Sequence, residues 1–180
     1  GNGASPCLRM CPTTALRIRL QTETEGGPIV DEAQCLGCGL CAAICPTPAL
    51  ENPDRTELLS QIDECLGASS EFRLACGNAA PNDPKQLANT GWVPCLGAID
   101  EDALIHAVAN GATSIRLDDR SCVGCSLHRG LALAHRTVKR VRKLLSLYGI
   151  RPTIRFESRL ANNGLASRAC KKSTLPRAKN

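Results

Sequence analysis

The chain has 180 residues, a formal net charge of +5 and 12 cysteines, while aromatic residues make up only 2% of it. This length allows one medium domain or two small ones, and so few aromatic side chains mean that other groups must help to stabilise small domains. Cysteines that bind metal are the candidates, because metal binding to a small domain contributes folding free energy. A secreted disulfide framework is disfavoured, since no signal peptide or membrane-spanning apolar run is visible, and a reducing cytoplasm is expected. The chain begins at Gly1 without a methionine, as a processed chain or a fragment does.

Residues 35–46 form the strongest motif, four cysteines and a proline at the spacing C-x2-C-x2-C-x3-C-P. This spacing is typical of bacterial loops that bind a 4Fe-4S cluster. Gly37 and Gly39 allow the backbone to come close to the cluster. The fourth cysteine, Cys45, is expected to start a helix with Pro46 in its first turn. Two disulfides or a zinc site are the alternatives, and neither requires this spacing.

An incomplete copy of the motif stands 34 residues earlier, where Cys7–Pro12 repeats the pattern of Cys41–Pro46. Between the copies, Ala15–Leu20 alternates apolar and basic residues as a half-buried strand does, and a Gly-Gly-Pro turn leads to a return strand at 29–30. Residues 1–52 therefore resemble a bacterial-type ferredoxin module with an α+β fold and two half-motifs related by a pseudo-twofold axis.

The resemblance also predicts which cysteines hold the cluster. In two-cluster ferredoxins the fourth cysteine of each motif ligates the other cluster. Gly1 and Ala4 stand where a complete first motif has cysteines, so one 4Fe-4S cluster is expected. Cys7 and Cys45 then face the vacated site. We expect them to be buried unligated thiols, with a labile disulfide or a residual zinc site as the alternatives. The predicted cluster ligands are Cys11, Cys35, Cys38 and Cys41.

Residues 53–70 are predicted to form a connecting helix. Asn52 suits the N-cap and Pro53 suits the first helical position. Cys65 lies on the apolar stripe of this helix, so we expect it to be a core residue rather than a ligand.

Residues 71–160 alternate strands with helices, which predicts an α/β domain with a small parallel sheet. Beyond it, residues 161–180 read as a polar, basic tail. The predicted strands are 72–76, 92–95, 114–118 and 153–157, and the predicted helices are 83–89, 101–110 (capped by Asp100) and 128–148.

Four cysteines fall where strands of this domain end. Cys76 and Cys95 end the first and second strands, while Cys122 and Cys125 follow the third. Because sites in open α/β sheets form beyond the carboxyl ends of the strands, the four are expected to converge on an iron–sulfur cluster or a zinc ion. His128 could replace one ligand, but a surface position at a helix N-terminus is favoured.

The second domain resembles the methyl-viologen-reducing hydrogenase delta-subunit family over roughly residues 72–158. The segments that carry the resemblance are Val93–Asp100, Ala107–Ala112, Ser121–Cys125, His135–Arg136 and Leu144–Ile150. The family implies a flavodoxin-like fold and a 2Fe-2S cluster. It usually has a longer gap between its last two cysteines, and often a further cysteine where this chain has Ala79. The matching ligand positions are Cys76, Cys95, Cys122 and Cys125.

The sequence shows two metal-type cysteine sites and no catalytic constellation, since the adjacent pair Asp118 and Asp119 is better explained by solvation of the strand end or by support for the cysteine loop. We therefore expect an electron-transfer subunit without a substrate site. The resemblance implies a hydrogenase, a formate dehydrogenase or a heterodisulfide-reductase-like flavoprotein as partner. The basic helix 136–143 would dock on an acidic surface. Nucleic acid is not expected, because aromatic stacking platforms are lacking. The alternatives are a zinc-stabilised interaction module and a redox-sensing regulator that binds nucleic acid through the basic tail.

Overall fold

The computed structural model of the chain describes residues 5–19, 26–47, 49–77 and 89–157. The N-terminal part pairs two short antiparallel strands, with Leu16 opposite Val30, and adds two short helices. These helices begin at Pro6 and Leu40, 34 residues apart, as the repeat predicts. The elements are α1 (Pro6–Met10), β1 (Leu16–Arg19), β2 (Gly27–Val30) and α2 (Leu40–Ala43).

Helix α2 corrects one local prediction, because it ends before Cys45 and does not begin there. Gly39 adopts the left-handed conformation, with φ of 72°, and its carbonyl oxygen accepts from the amide of Ala43 at 3.1 Å. The helical turn therefore starts directly after Gly39. Pro46 lacks the N–H that would extend the turn.

The remainder of the described chain is an α/β arrangement around a four-stranded parallel sheet, as predicted. The strand order is β4-β3-β5-β6. Residues 83–88 of the helix predicted over 83–89 lie outside the described residues. The elements are α3 (Arg55–Ala68), β3 (Glu71–Cys76), β4 (Thr90–Val93), α4 (Glu101–Ala109), β5 (Ser114–Asp118), α5 (His128–Leu147) and β6 (Thr153–Phe156), with a short 3-10 helix at Leu96–Ala98.

Helix α3, expected to be a connector, packs on the sheet. Ile62 and Cys65 belong to the same buried core as Phe72, so Cys65 is a core residue as its position on the stripe predicts. The helix starts later than predicted, because the side chain of Asn52 accepts from the amide of Asp54 at 3.2 Å and forms a turn ahead of it.

Helices α4 and α5 follow their sequence patterns closely. The Asp100 carboxylate accepts from the amide of Ala103 at 2.8 Å, which confirms the predicted cap. The core face of α5 is lined by Leu133, Val138, Val141 and other buried residues, and it packs into the main core and the contact with the N-terminal part.

A second apolar cluster joins the two parts of the chain. Leu40 of α2 is buried there with Cys95, Leu127 and Leu133, and Cys38 packs against them. The cluster therefore lies between the two groups of cysteines. None of the described helices is both long and apolar enough to cross a membrane.

Candidate metal centres

The first candidate centre gathers around the loop that leads into α2. Cys35 and Cys38 lie on this loop, Cys41 lies in α2, and Cys11 directly follows α1. The pKa of Cys38 is raised to about 11, mainly by burial and also by the charges of the other three thiols. Burial likewise raises the pKa of Cys41, with contributions from Cys11 and Cys35. The four predicted ligands thus lie within electrostatic reach of one another.

Backbone amides point at these sulfur atoms. The amide of Gly37 donates to Cys35 Sγ at 3.4 Å, and the amides of Leu40 and Ala42 stabilise the thiolates of Cys38 and Cys41. Gly37 and Gly39 both have positive φ, which lets the loop turn its amides inward. Four sulfur donors surrounded by amide donors are what an iron–sulfur cluster requires, so the residues fit the group.

The 34-residue repeat extends to the surroundings of individual thiols. Cys11 Sγ lies 3.8 Å from Thr13 Oγ1, and Cys45 Sγ lies 3.6 Å from Thr47 Oγ1. At both cysteines burial acts to raise the pKa. Hydrogen bonds from the threonine and from the amides four and five residues further on outweigh burial and lower the pKa. Cys45 therefore keeps the surroundings of its repeat partner.

Cys7 and Cys45 differ in exposure. The sequence predicts that both thiols are buried. Cys7 is buried in α1, whereas Cys45 is only partly buried, so the prediction is wrong for Cys45. None of the eleven cysteines in the described ranges forms a disulfide bond.

The second candidate centre lies at the carboxyl edge of the sheet. Cys76 is the last residue of β3 and pairs in register with Val93, so Cys95 follows β4 at the same edge. The strand predicted over 92–95 ends two residues earlier than expected, at Val93. Cys122 and Cys125 lie on the loop after β5.

The pKa shifts of Cys95 and Cys122 connect the four thiols of this edge electrostatically. The pKa of Cys95 is raised to about 12, mainly by burial and also by the charges of Cys76, Cys38 and Cys122. Burial also raises the pKa of Cys122 to about 12, with contributions from Cys76 and Cys125. The sheet edge therefore brings the four predicted ligands within reach of one another. The coupling of Cys95 to Cys38 also links the two centres.

The donor chemistry of this edge fits a metal centre built on sulfur. Within the described ranges, no three His, Cys, Asp or Glu side chains are grouped tightly enough to hold a single metal ion. The amide of Leu127 donates to Cys125 Sγ at 3.4 Å, and the amide of Gly97 stabilises the Cys95 thiolate. A metal bound by these cysteines would have to displace the thiol protons, because the thiolate is the form that binds metal.

The acidic pair at the end of β5 supports the cysteine loop, in agreement with the sequence. Asp118 is fully buried, and Arg120 donates to it from Nε at 2.7 Å and from its terminal nitrogen. The carbonyl oxygen of Asp119 accepts from the amide of Cys122 at 2.9 Å. Sequence reasoning missed Arg120, and the only signal was its position two residues after the strand ends.

Each of the three histidines is exposed or contacts a side chain other than a cysteine. His128 is exposed at the start of α5, as expected. His106 Nε2 lies 2.7 Å from Asp63 Oδ1. The ring of His135 packs against Phe156 at a centroid distance of 3.8 Å.

Comparison with known families gives each part of the chain a separate match. Residues 2–49 match the family described as a 4Fe-4S dicluster domain. Residues 88–169 match the family described as methyl-viologen-reducing hydrogenase, delta subunit. The chain is thus similar to a 4Fe-4S dicluster domain in its N-terminal part and to a hydrogenase delta subunit in its later part. The first match supports a 4Fe-4S cluster, and the order of the two domains agrees with the sequence prediction.

Individual relatives match over shorter stretches. An uncharacterized ferredoxin of Methanocaldococcus jannaschii is 39% identical over 46 residues, which cover 26% of this chain and 27% of the ferredoxin. Hydrogenase-4 component A of Escherichia coli is 27% identical over 90 residues, which cover 50% of this chain and 40% of the relative. The polyferredoxin-like subunit of the aliphatic sulfonate oxidoreductase of Pyrococcus furiosus is 42% identical over 41 residues, which cover 23% of this chain and 22% of the relative. The chain thus spans less than half the length of these relatives. No solved structure matches it.

Proposed function

We propose that the chain is an iron–sulfur subunit that relays single electrons between a redox enzyme and another carrier. The observation that carries the proposal is that one apolar cluster contains thiols of both groups, with Cys38 from the first and Cys95 and Cys125 from the second. The proposed ligands of the 4Fe-4S cluster are Cys11, Cys35, Cys38 and Cys41. The proposed ligands of a second cluster, of the 2Fe-2S type, are Cys76, Cys95, Cys122 and Cys125.

The chain's own residues bind the clusters and control their surroundings. Bound clusters supply the one-electron chemistry that side chains lack. The amides of Gly37, Leu40 and Gly97 stabilise the thiolates, and hydrogen bonds to sulfur are one way in which proteins set a cluster's potential. Leu127 and Leu133 are buried between the two groups of thiols and exclude water from that space.

The sheet order supports a flavodoxin-like fold for the second domain. Reading β3 as its first strand, the order β4-β3-β5-β6 becomes 2-1-3-4, which is how a flavodoxin-like sheet begins. Ligands of such sheets bind where the order reverses, at the carboxyl ends of the first and third strands. Cys76 ends β3 and the loop of Cys122 follows β5, so the proposed cluster occupies that position. We place α3 in this domain, because its apolar face completes the core under the sheet. We also propose a ferredoxin-like fold for the N-terminal module, because of its 34-residue repeat.

The basic face of α5 supports the proposal of an acidic partner. Two of its basic residues are engaged within the chain. Arg140 pairs with Glu101 at 3.1 Å, and Arg142 donates to a backbone carbonyl of β6. Arg136, Lys139 and Lys143 are exposed on the side of α5 opposite its buried face. A hydrogenase, a formate dehydrogenase or a heterodisulfide-reductase-like flavoprotein is the proposed partner, in line with the hydrogenase and oxidoreductase names of the relatives.

Anaerobic purification followed by iron, sulfide and EPR analysis tests the proposal. We expect iron and acid-labile sulfide in comparable amounts and two EPR-distinct centres after reduction. Zinc without sulfide would contradict the proposal and favour an interaction module. The matched control is Cys65→Ala, which removes a cysteine of the main core and should leave metal and sulfide contents unchanged.

A further inference from the structure

The side chain of Leu40 fills a contact between the two parts of the chain that has no spare room. A β-carbon on Gly97 would lie 2.5 Å from Leu40 Cδ2 and 2.6 Å from the backbone of Gly130. A β-carbon on Gly130 would lie 2.5 Å from Cys95 Sγ and 3.2 Å from Leu40 Cδ2. The tip of Leu40 and the sulfur of Cys95 therefore both border Gly130, where no side chain intervenes.

A third glycine tightens the same contact from the other side. Gly39 has φ of 72°, and a β-carbon there would lie 2.8 Å from Ala98 Cβ. The start of α2 thus rests directly on the short 3-10 helix that follows Cys95. Elsewhere in the chain, Gly67 has open space around it. Close approach is therefore a property of this contact and not of the glycines in general.

Leu40 also stands within the cysteine loop of the first centre. It follows Cys38 by two residues, precedes Cys41 directly, and is 1% exposed. A single side chain therefore reaches from the ligand loop of one centre to the neighbourhood of Cys95, a proposed ligand of the other.

We propose that Leu40, seated between Gly97 and Gly130, is the positioning contact through which single electrons pass between the two cysteine centres, with the glycines fixing the separation. This inference rests on the proposed function, because both centres must hold clusters. One electron leaves the reduced centre and arrives at the oxidised one, and no bond forms or breaks. Apolar side chains of the same cluster, among them Leu127 and Leu133, surround Leu40 in this contact.

A purely structural role for Leu40 would change stability but not communication between the centres. The test therefore compares Leu40→Ala with Leu58→Ala in the full-length, cluster-loaded protein. Leu58 is likewise almost fully buried, at 4% exposed, but it belongs to the main core and not to the cluster that contains Leu40. Iron, sulfide and circular dichroism report cluster content and fold. EPR of the fully reduced protein and the rate of electron equilibration between the centres report communication.

We expect Leu40→Ala to retain both clusters. It should weaken or abolish the magnetic interaction between the two reduced centres in the EPR spectrum, and it should slow electron equilibration between them. Leu58→Ala should change neither the interaction nor the rate. Leu40→Val removes less packing and should show the same effects in smaller degree, so it decides the matter if Leu40→Ala does not fold. Full clusters with unchanged interaction and rate in the Leu40 variants would overturn the inference. A single centre in the wild-type protein would overturn the proposed function itself, and the wild-type metal and sulfide analysis shows that first.

Discussion

Arg120 binds the carboxylate of Asp118 across the turn that ends β5. The Arg120 Nε atom donates to Asp118 Oδ1 at 2.7 Å, and the amide of Arg120 donates to the same oxygen at 3.3 Å. The Asp118 side chain is 1% exposed, so its charge depends on this partner. The carbonyl oxygen of Asp119, the next residue, accepts from the amide of Cys122. The ion pair therefore fixes the turn from which the cysteine loop starts.

Arg120→Ala should destabilise the protein by about 2–4 kcal/mol, because it leaves a buried carboxylate without its charged partner. It should also lower the iron content of the sheet-edge centre more than that of the N-terminal one. Urea unfolding and iron analysis measure the two effects. The control is Arg151→Ala, which removes an exposed arginine. Equal stability of the two variants would show that the ion pair does not support the loop.

The two groups of thiols should lose metal independently. Cys38→Ala is expected to remove the N-terminal cluster and Cys122→Ala the sheet-edge cluster, since each removes a ligand of one centre only. Iron per chain and the EPR spectrum of each variant measure this. Cys65→Ala should keep both signals. Loss of both clusters in either ligand variant would contradict two separate ligand sets.

In the metal-free, reduced chain the thiols should react with iodoacetamide in a fixed order. The thiolate is the nucleophile, so a lowered pKa at Cys11 and Cys45 speeds their labelling at pH 8. Burial raises the pKa of Cys95 and Cys122 to about 12, so these thiols stay protonated and slow until the pH approaches that value. Timed labelling with peptide mass spectrometry measures the order.

Labelling in urea provides the control for this order. Unfolding removes both burial and the amide hydrogen bonds, so the four rates should converge. If Cys95 in the folded chain is labelled at pH 8 as fast as Cys45, the thiol environments described for the two centres are wrong.

Charge reversal on α5 should weaken binding to an acidic redox partner. The double variant Lys139→Glu/Lys143→Glu should lower the association rate about tenfold at low ionic strength, and the difference should shrink at high salt. Stopped-flow reduction by an acidic electron carrier measures the rate. Arg151→Glu/Arg155→Glu is the matched control, because both arginines are exposed and neither belongs to α5. Equal rates for the two double variants would exclude this face from docking.

Sequence periodicity and capping chemistry were enough to predict the local elements. Strand β5 has the predicted bounds Ser114–Asp118, and Asp100 caps α4 as expected, because both depend on residues close in the chain. The convergence of Cys76 and Cys95 followed from the rule that parallel strands end at one edge. Such inferences need only the order of strands and helices.

Features that depend on several remote segments were not predictable. The side chain of Leu40 contacts Gly97 and Gly130, which belong to two other elements, and no pattern in the sequence indicates that contact. The packing of α3 on the sheet depends on Phe72 and on core residues from elements later in the chain. The start of that helix depends on whether Asn52 caps it or forms a turn, and the same residue type suits both.

Mössbauer spectroscopy of anaerobically prepared, iron-57-labelled protein tests the central claim most directly, because it counts iron by cluster type. The account predicts two subspectra, a four-iron cluster and a two-iron cluster, with twice as much iron in the first. Cys122→Ala should remove only the second subspectrum. A single subspectrum, or isolated ferrous iron in place of clusters, would contradict a two-centre relay.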